Sequence, residues 1–256
     1  MHKVMQKVYL LAATSILDVN RWLSENFNCE EDDFYNDQCD GELLTELAGR
    51  RCYLSFKEGL NPNVTKLRHD NEAYLKNIID SGHGSVLEHV NTVWAFENVS
   101  RVFTHELVRH RVGIAISQES LRYVRLTDFD FWIPPIIGKS TAAVTIFIEA
   151  IKYLQTVQKE LARLFDIDNK SFKDKKELTS AFRRLAPMGL ATGIVWSANL
   201  RALRHVIEMR TSIHAEEEMR IVFSKVAELC ADNWPMIFQD MKKDEQSQYT
   251  FARSKV

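Results

Sequence analysis

Residues 109–123 read RHRVGIAISQESLRY, and this stretch carries the strongest signal in the sequence. Arg109, His110 and Arg111 stand in a row at its start. Arginine guanidinium groups bind phosphate oxygens through paired hydrogen bonds, and a histidine beside them can orient a ligand or titrate. Gly113 lets the backbone approach a ligand closely, so we predict a site for an anionic group here. Further polar side chains follow in Ser117, Gln118, Glu119, Ser120, Arg122, Tyr123 and Arg125.

Two interpretations of this basic cluster are open. Charged residues usually stay in contact with water, so a solvated basic face is the simpler one. Apolar neighbours such as Leu107 and Ile114 favour a ligand or an internal ion pair instead. Helical spacing before the cluster would also place three basic side chains on one face, since residues four apart are neighbours on a helix. These three are Arg101, His105 and Arg109.

Upstream of the cluster, residues 81–85 read SGHGS and are followed by Glu88 and His89. Glycines on both sides of His83 place an imidazole on a turn, and such loops carry function more often than cores do. A metal site made of these side chains is the alternative. Their spacing fits no common ligand pattern, and no cysteine lies among them, so we expect no metal.

Downstream, residues 199–214 combine an apolar helical stripe with polar side chains at helical spacing. For Arg204 and Glu208 we predict an ordinary surface ion pair between residues four apart. Arg210 and His214 have the same spacing, and we predict that they are neighbours on the helix. A surface pair and a functional pair are equally compatible with that spacing.

Periodicity and break residues predict an α+β fold that is rich in helix and has few strands. The strand–helix alternation of a doubly wound sheet is missing. Gly82 suits a helix C-terminal cap. A strand is predicted over 90–96, and a buried strand or short helix over the apolar run 8–17. Helices are predicted over 42–52, from 64 or 65 to 80, over 99–110, 141–165 and 174–185, and through much of the C-terminal third.

Composition limits the class of protein. The chain has 256 residues with 45% hydrophobic and 27% charged residues, as expected of a globular domain that needs no disulfide or metal. The net charge of −2 gives no general attraction to nucleic acid or membranes. The four cysteines form no CxxC pair and fit a reducing compartment, and no apolar run reaches the length of a membrane span. We therefore expect a cytoplasmic protein.

Several common catalytic designs are missing from the sequence. It contains no P-loop, no GxGxxG turn and no GxSxG elbow, and no serine or cysteine has a nucleophile context. What remains is a set of Arg, His and backbone donors in three segments. Such a set suits the binding of two or more anionic groups, for example a phosphorylated substrate and a dinucleotide-type cofactor.

These segments resemble the flavin-dependent thymidylate synthases, also described as the thymidylate synthase complementing protein family. The run of Arg-His-Arg followed by Ser-x-Arg-Tyr is similar to that family's signature. Residues 81–89 look like its flavin-contacting loop, and residues 198–201 with Arg210 and His214 look like its C-terminal segment. Residues 48–56 (AGRRCYLSF) resemble an early stretch of the family. The match is colinear from about residue 42 to 220, and its specific pieces stand in the right order.

The resemblance implies one helix-rich domain over residues 1–256 with a small, mostly antiparallel sheet. It also implies roles for individual residues. FAD would be bound by Ser55, His83, Ser85, Glu88, Arg109, His110, Arg111, Asn199, Arg201, His205 and His214. The nucleotide dUMP would be bound by Glu106, Arg109, Gln118, Glu119, Ser120, Arg122, Arg183 and Arg210. Catalytic roles would fall to Arg210, Ser120 and His83.

The activity that the resemblance implies is methylation of dUMP to dTMP. Methylenetetrahydrofolate would donate the one-carbon unit, reduced FAD the hydride, and NADPH would reduce the flavin. The protein's part would be orientation and electrostatic stabilisation. The family builds each site from several subunits of a homotetramer, so Arg183 and Arg210 would reach a neighbouring chain's site. No nucleic acid or membrane partner is implied.

The sequence departs from the family pattern at three positions. Eight residues, not seven, separate Arg111 from Ser120, and a bulge near Gly113 would absorb the extra one. Glu106 stands where the family often has Gln, and His205 where it often has Asn. A second hypothesis therefore keeps the fold and flavin but changes the pyrimidine substrate or the one-carbon product. A third, a nucleic-acid-binding module, is disfavoured by the net charge.

Overall fold

A four-stranded antiparallel sheet forms the framework of the fold. The computed structural model describes residues 2–34 and 39–253. The first four strands form the sheet in the order β1-β2-β4-β3, and the last two form a separate hairpin. In chain order the strands are β1 Lys7–Ala13, β2 Asn91–Ser100, β3 Ile114–Gln118, β4 Ala191–Asn199, β5 Met241–Lys243 and β6 Tyr249–Phe251.

Helices make up most of the rest of the described chain, which confirms the prediction of a helix-rich α+β fold. The α-helices are α1 Val19–Phe27, α2 Asp40–Tyr53, α3 Asn71–Asp80, α4 Arg101–Leu107, α5 Pro135–Gly138, α6 Thr141–Leu164, α7 Phe172–Phe182, α8 Leu200–Thr211 and α9 Glu217–Asn233. Short 3-10 helices lie at Glu31–Asp33, Gly84–His89, Ile167–Asn169 and Arg183–Leu185.

The two inner strands, β2 and β4, hold the main core. Trp94 and Trp196 are paired across them and are fully buried. Phe223 of α9 packs against this layer, with its ring centroid 5.9 Å from that of Trp196. Each ring of this size contributes on the order of 1.5–3 kcal/mol when it leaves water. The sheet is therefore a rigid support for the segments that leave its ends.

Helices α4 and α8 each begin directly after an inner strand. The Ser100 hydroxyl accepts a hydrogen bond from the amide of Phe103, and the Asn199 side chain accepts one from the amide of Ala202. Such N-caps satisfy amide groups that would otherwise have no partner. Because β2 and β4 are antiparallel, these caps lie at opposite ends of the sheet. The C-terminal ends of α4 and α8 then meet, as shown below by Arg210.

Two predicted helices are shorter in the structure. The helix predicted from 64 or 65 begins at Asn71, because the Asp70 carboxylate caps it by accepting from the amide of Ala73 at 2.8 Å. The predicted end of this helix is confirmed, because Gly82 follows it with a φ of +71°, a conformation that suits a C-terminal cap. The helix predicted over 99–110 spans Arg101–Leu107 alone.

The predicted strands also need correction. The strand predicted over 90–96 runs on to Ser100. The N-terminal run forms β1, but β1 is a sheet edge with exposed Tyr9 and Leu11, so the expectation of burial is wrong. Strands β3 and β4 were not predicted, and β4 replaces helix at the start of the C-terminal third. These two strands pair with each other in the sheet, and this long-range pairing is not evident from either segment alone.

The state of the cysteines and the hydropathy of the helices complete the description of the fold. The four cysteines are free, with Cys29 and Cys230 buried and Cys52 exposed. In the part of the chain that the structure describes, no helix is both long and apolar enough to cross a membrane.

Candidate functional site

One pocket of about 480 Å³, here called the main pocket, brings two of the three predicted segments together with one residue of the third. It lies between the turn after α4, the first half of α8 and the C-terminal hairpin. Its lining is basic, with apolar patches between the cationic groups. The lining residues are Glu88, Arg109, His110, Arg111, Val112, Ile114, Asn199, Arg201, Ala202, Arg204, His205, Val206, Phe251 and Arg253.

The wall of the main pocket depends on close packing between Gly113 and Asn199. The amide of Asn199 donates to the carbonyl of Gly113 at 3.1 Å. A Cβ atom on Gly113 would lie 2.4 Å from the Asn199 side-chain nitrogen, and φ at Gly113 is +67°. Only glycine combines this approach with that conformation at low cost. The contact fixes the turn that carries Arg109 to Arg111 beside the start of α8.

Glu88 and Arg201 form an ion pair across the pocket. Glu88 lies on the 3-10 helix Gly84–His89, and Arg201 lies in the first turn of α8. Both side chains are half exposed, so the direct pair adds little stability, about 0–1 kcal/mol. Its effect is to orient a guanidinium toward the pocket.

Arg210 makes a further set of charged contacts near the pocket. Its Nε donates to Nε2 of His110 at 2.7 Å, and Nη1 donates to a Glu106 carboxylate oxygen at 2.9 Å. Nη2 donates to the Glu106 carbonyl at 3.0 Å. Burial and the nearby charge of Arg210 lower the pKa of His110 to about 4. His110 is therefore a neutral acceptor at physiological pH.

Arg109 approaches the same carboxylate but is largely open to solvent. Its side chain is 70% exposed and approaches Glu106 at 3.6 Å. Arg111 is also exposed, and so is the apolar side chain of Val112, at 88%. The turn thus presents cationic and apolar groups at the surface, and the expected internal ion pair is made by Arg210.

Other predicted flavin ligands lie outside the main pocket. Ser55 is buried and lines a separate cleft beside Tyr74. His83 is half-buried with its ring edge against Tyr53, and its Nδ1 has no hydrogen-bond partner in the described chain. Ser85 is exposed on the 3-10 helix, and His214 is exposed beyond the end of α8. The structure therefore brings together seven of the eleven predicted flavin-binding residues.

Three of the predicted dUMP ligands, Glu106, Arg109 and Arg210, lie together, but the other five do not join them within one chain. Gln118 donates to the Thr104 hydroxyl at 2.9 Å. The carbonyl of Glu119 accepts from Arg101, and the Ser120 hydroxyl accepts from the amide of Arg122. These contacts fix the backbone after β3. Arg122 and Arg183 are exposed and line different clefts.

Two predicted helix pairs are wrong. Arg204 does not pair with Glu208 at the surface but is buried and holds Asp240 with two hydrogen bonds of 2.8 Å. Arg210 does not pair with His214, because α8 ends at Thr211 and Arg210 turns toward α4. In both cases a partner distant in sequence replaces the neighbour four residues away.

Sequence reasoning missed several residues of the main pocket. Arg204 is one turn from Arg201 on α8, so helical spacing alone identifies it as a neighbour. Phe251 and Arg253 belong to the C-terminal hairpin and its exit, and no motif marks them. Among residues 2–34 and 39–253, no group of three His, Cys, Asp or Glu side chains is arranged to hold a metal ion.

Comparison with known proteins identifies the family of this chain. Residues 36–236 match the family model described as thymidylate synthase complementing protein. The chain is 35% identical over 213 residues to the flavin-dependent thymidylate synthase of Mycobacteroides abscessus, covering 81% of this chain and 82% of that protein. It is 37% identical over 207 residues to the protein of that name from Mycolicibacterium vanbaalenii, covering 79% and 80%.

Solved structures with the same fold include the UMP/dUMP methylase PolB from Streptomyces cacaoi. Its structure bound with 5-Br UMP gives a TM-score of 0.62 at 17% identity and covers 93% of each chain. The structure bound with 5-Br dUMP gives a TM-score of 0.64 at 16% identity and covers 93% of this chain and 96% of that one. At this level of identity the likeness concerns the fold.

Proposed function

Since the chain belongs to the thymidylate synthase complementing protein family, we propose that it methylates dUMP to dTMP as a single-domain enzyme. The one-carbon donor is methylenetetrahydrofolate, the cofactor is FAD, and NADPH is the reductant. The observation that carries the proposal is the main pocket, where Arg109, His110 and Arg111 meet Asn199 and Arg201. These residues come from segments almost a hundred positions apart.

The main pocket suits a cofactor such as FAD in its volume and in its donor types. Its volume of about 480 Å³ falls in the range of ordinary cofactor sites, roughly 300–1,000 Å³. Guanidinium groups such as those of Arg111 and Arg201 match pyrophosphate oxygens, and Val206 and Phe251 supply apolar surface for a ring. The unpartnered Nδ1 of His83 is a further candidate contact from the neighbouring turn. Bound FAD supplies the hydride transfer that no side chain of the protein can perform.

The substrate site is proposed to form between subunits. Arg109, Arg122 and Arg183 are exposed and do not share a cleft in one chain, although each suits a nucleotide phosphate. The exposed side chain of Val112 beside Arg109 gives apolar surface for a subunit contact. A homotetramer with shared sites explains both features. The free cysteines suit the cytoplasm as its compartment.

Within that site we assign Arg210 to charge stabilisation. Three of its N–H groups donate to His110 and Glu106, so the guanidinium is held in one orientation, and its other two N–H groups have no hydrogen-bond partner among residues 2–34 and 39–253. A preorganised cation of this kind stabilises negative charge that develops on a pyrimidine ring. Ser120 would contact the nucleotide, and His83 would position a group at the flavin side.

A second candidate function keeps the fold and FAD but changes the pyrimidine or the one-carbon product. The specific observation is the extra residue between Arg111 and Ser120. Strand β3 pairs with β4 without a register shift, from Ile114↔Ala198 to Gln118↔Ile194. Strand β3 itself therefore has no bulge, which supports a place for the extra residue in the turn near Gly113. Such a turn lies directly beside the proposed nucleotide contacts.

The proposal is tested with the purified protein. We expect a yellow protein with a flavin absorption spectrum that forms dTMP from dUMP, NADPH and methylenetetrahydrofolate. A protein that takes up no FAD would contradict both candidates. Flavin binding without dTMP formation would favour the second candidate, and a screen of pyrimidine nucleotides would then follow.

A further inference from the structure

The C-terminal hairpin of β5 and β6, with Arg253 at its exit, forms one wall of the main pocket. The family model matches residues 36–236, so this hairpin lies beyond the matched region. Two of its residues, Phe251 and Arg253, line the pocket. Any contact that Arg253 makes with a bound molecule is therefore one that the family's signature segments do not assign.

Buried contacts with α8 hold this wall in place. Arg204 of α8 donates two hydrogen bonds of 2.8 Å to the Asp240 carboxylate, and both side chains are almost fully buried. The same carboxylate accepts from the amide of Ala252 at 3.2 Å, one residue before Arg253. The Arg204 guanidinium also lies over the ring of Phe251, 4.1 Å from its centroid. Because a buried ion pair is costly to break, the backbone that carries Arg253 has a fixed place beside α8.

Arg253 is a cation without a counter-charge in this wall. Within residues 2–34 and 39–253 it forms no hydrogen bond or ion pair. Its guanidinium reaches the turn at Gly82, where a Cβ atom on the glycine would lie 3.6 Å from Arg253 Nη1. The same turn carries His83, whose buried Nδ1 has no partner in the described chain. Arg253 therefore extends the pocket wall to the turn that resembles the family's flavin loop.

The charge balance of the main pocket favours a ligand with more than one negative charge. Arg201 and Arg204 are already paired with carboxylates. Arg111 and Arg253 form no ion pair in the part of the chain that the structure describes, and they belong to different walls of the pocket. Arginine side chains bind phosphate oxygens through paired, charge-assisted hydrogen bonds. Two such arginines suit a diphosphate, which offers oxygens to more than one guanidinium group.

We propose that Arg253 binds the diphosphate of the flavin cofactor, so that the C-terminal hairpin is part of the cofactor site. The inference rests on the proposed function, because it takes FAD as the molecule that binds in the main pocket. Arg253 is the binding residue. Asp240 is a positioning residue, since its carboxylate joins Arg204 of α8 to the amide of Ala252.

The experiment is titration of the full chain, freed of bound flavin, with FAD at low and at high salt, followed by flavin fluorescence. The variants are Arg253→Gln, which removes the charge, and Arg253→Lys, which keeps the charge but loses the planar fork of donors. Lys242→Gln is the matched control, because Lys242 is an exposed cation of the same hairpin and does not line the pocket. Thermal melting of each variant checks that it is folded.

We expect Arg253→Gln to raise the dissociation constant for FAD about tenfold at low salt, and Arg253→Lys to raise it about threefold. The difference between Arg253→Gln and the unmodified protein should shrink at high salt, because salt screens an exposed charge. Lys242→Gln should bind FAD as the unmodified protein does.

Three results would overturn the inference. One is equal FAD affinity in Arg253→Gln and the unmodified protein. Another is an equal loss in Lys242→Gln, which would indicate a general attraction between the hairpin and an anion. The third is a loss in Arg253→Gln that is the same at both salt concentrations, which would indicate altered packing.

These outcomes are distinct from a failure of the proposed function. FAD uptake without dTMP formation contradicts the methylation proposal and leaves the role of Arg253 standing. Unchanged FAD affinity in Arg253→Gln contradicts this inference and leaves the methylation proposal standing. A protein that takes up no FAD contradicts both.

Discussion

Arg210 donates a hydrogen bond from Nε to Nε2 of His110 at 2.7 Å, although the two residues are 100 positions apart in the chain. The direction of this bond requires a lone pair on Nε2, so the imidazole is neutral and carries its proton on Nδ1. The low pKa of His110, about 4, agrees with this protonation state. The bond joins the ends of α4 and α8 and so links the Arg-His-Arg turn to the C-terminal segment.

The first prediction concerns pH. His110 has a pKa of about 4 in the folded protein and about 6.5 in the unfolded chain, so protonation favours unfolding. The contribution of His110 to stability is complete above pH 6.5 and is lost as the pH falls from 6.5 to about 4. That loss is on the order of 3 kcal/mol. Urea unfolding of the protein and of His110→Gln should show a shallower pH dependence in the variant over this window.

His89→Gln is the control for this measurement, because His89 is exposed in the structure. It should follow the pH dependence of the unmodified protein. Equal slopes for the protein and for His110→Gln between pH 6.5 and 4 would show that His110 is not held neutral by its surroundings.

The second prediction concerns the arginines of the proposed site. Arg210→Ala and Arg109→Ala should each lower kcat/KM for dTMP formation by about a hundredfold or more, because each removes a cation that orients substrate or stabilises charge. Steady-state kinetics with dUMP measures the loss. Arg184→Ala is the control, since Arg184 is exposed and donates a hydrogen bond to the carbonyl of Ser180 within its own helical turn. Near-normal turnover in either site variant would show that the site is misplaced.

The third prediction concerns the packing of Gly113. Gly113→Ala places a Cβ 2.4 Å from Asn199 and puts a side chain at a φ of +67°. We expect a loss of about 1–3 kcal/mol in unfolding free energy and weaker FAD binding, because the turn must move away from α8. Gly138→Ala is the matched control, since a Cβ there meets no atom within 4 Å. Thermal melting and flavin fluorescence compare the two, and equal behaviour would contradict the assigned role.

The sequence predicts much of the site but not the contacts that assemble it. Residue type and spacing single out Arg109 and His110, and the family resemblance implies Asn199 and Arg201; all four line the main pocket. The partner of Arg210 is not predictable in this way, since Glu106 and His110 reach it only after β2, β3 and β4 have paired.

Helical spacing likewise predicts the wrong partner for Arg204. A neighbour four residues away offers a weak exposed pair of about 0.3–0.5 kcal/mol. The structure instead buries Arg204 against Asp240 and the ring of Phe251, which no local pattern indicates. Strand β3 was not predicted although Ile114 and Ile116 alternate with small or polar residues, because five residues are too few for this pattern to identify a strand.

The last prediction concerns Glu106, where the family resemblance leads us to expect Gln. Its carboxylate binds Arg210 at 2.9 Å and lies 3.6 Å from Arg109, so it neutralises positive charge that a nucleotide phosphate would use. Glu106→Gln keeps an oxygen acceptor for Arg210 but removes the negative charge. We expect the KM for dUMP to fall severalfold while kcat changes little, because binding improves and the orientation of Arg210 is kept.

Comparison with Glu106→Ala separates the effect of the Glu106 charge from its effect on the orientation of Arg210. It removes the acceptor as well as the charge, so Arg210 loses one of the contacts that fix its guanidinium, and kcat should fall at least tenfold. Steady-state kinetics at two salt concentrations measures both effects, since the gain in Glu106→Gln should shrink as salt screens the phosphate. If both variants lower kcat equally and leave KM unchanged, the carboxylate itself is required, and the second candidate substrate class becomes the better explanation of this departure from the family.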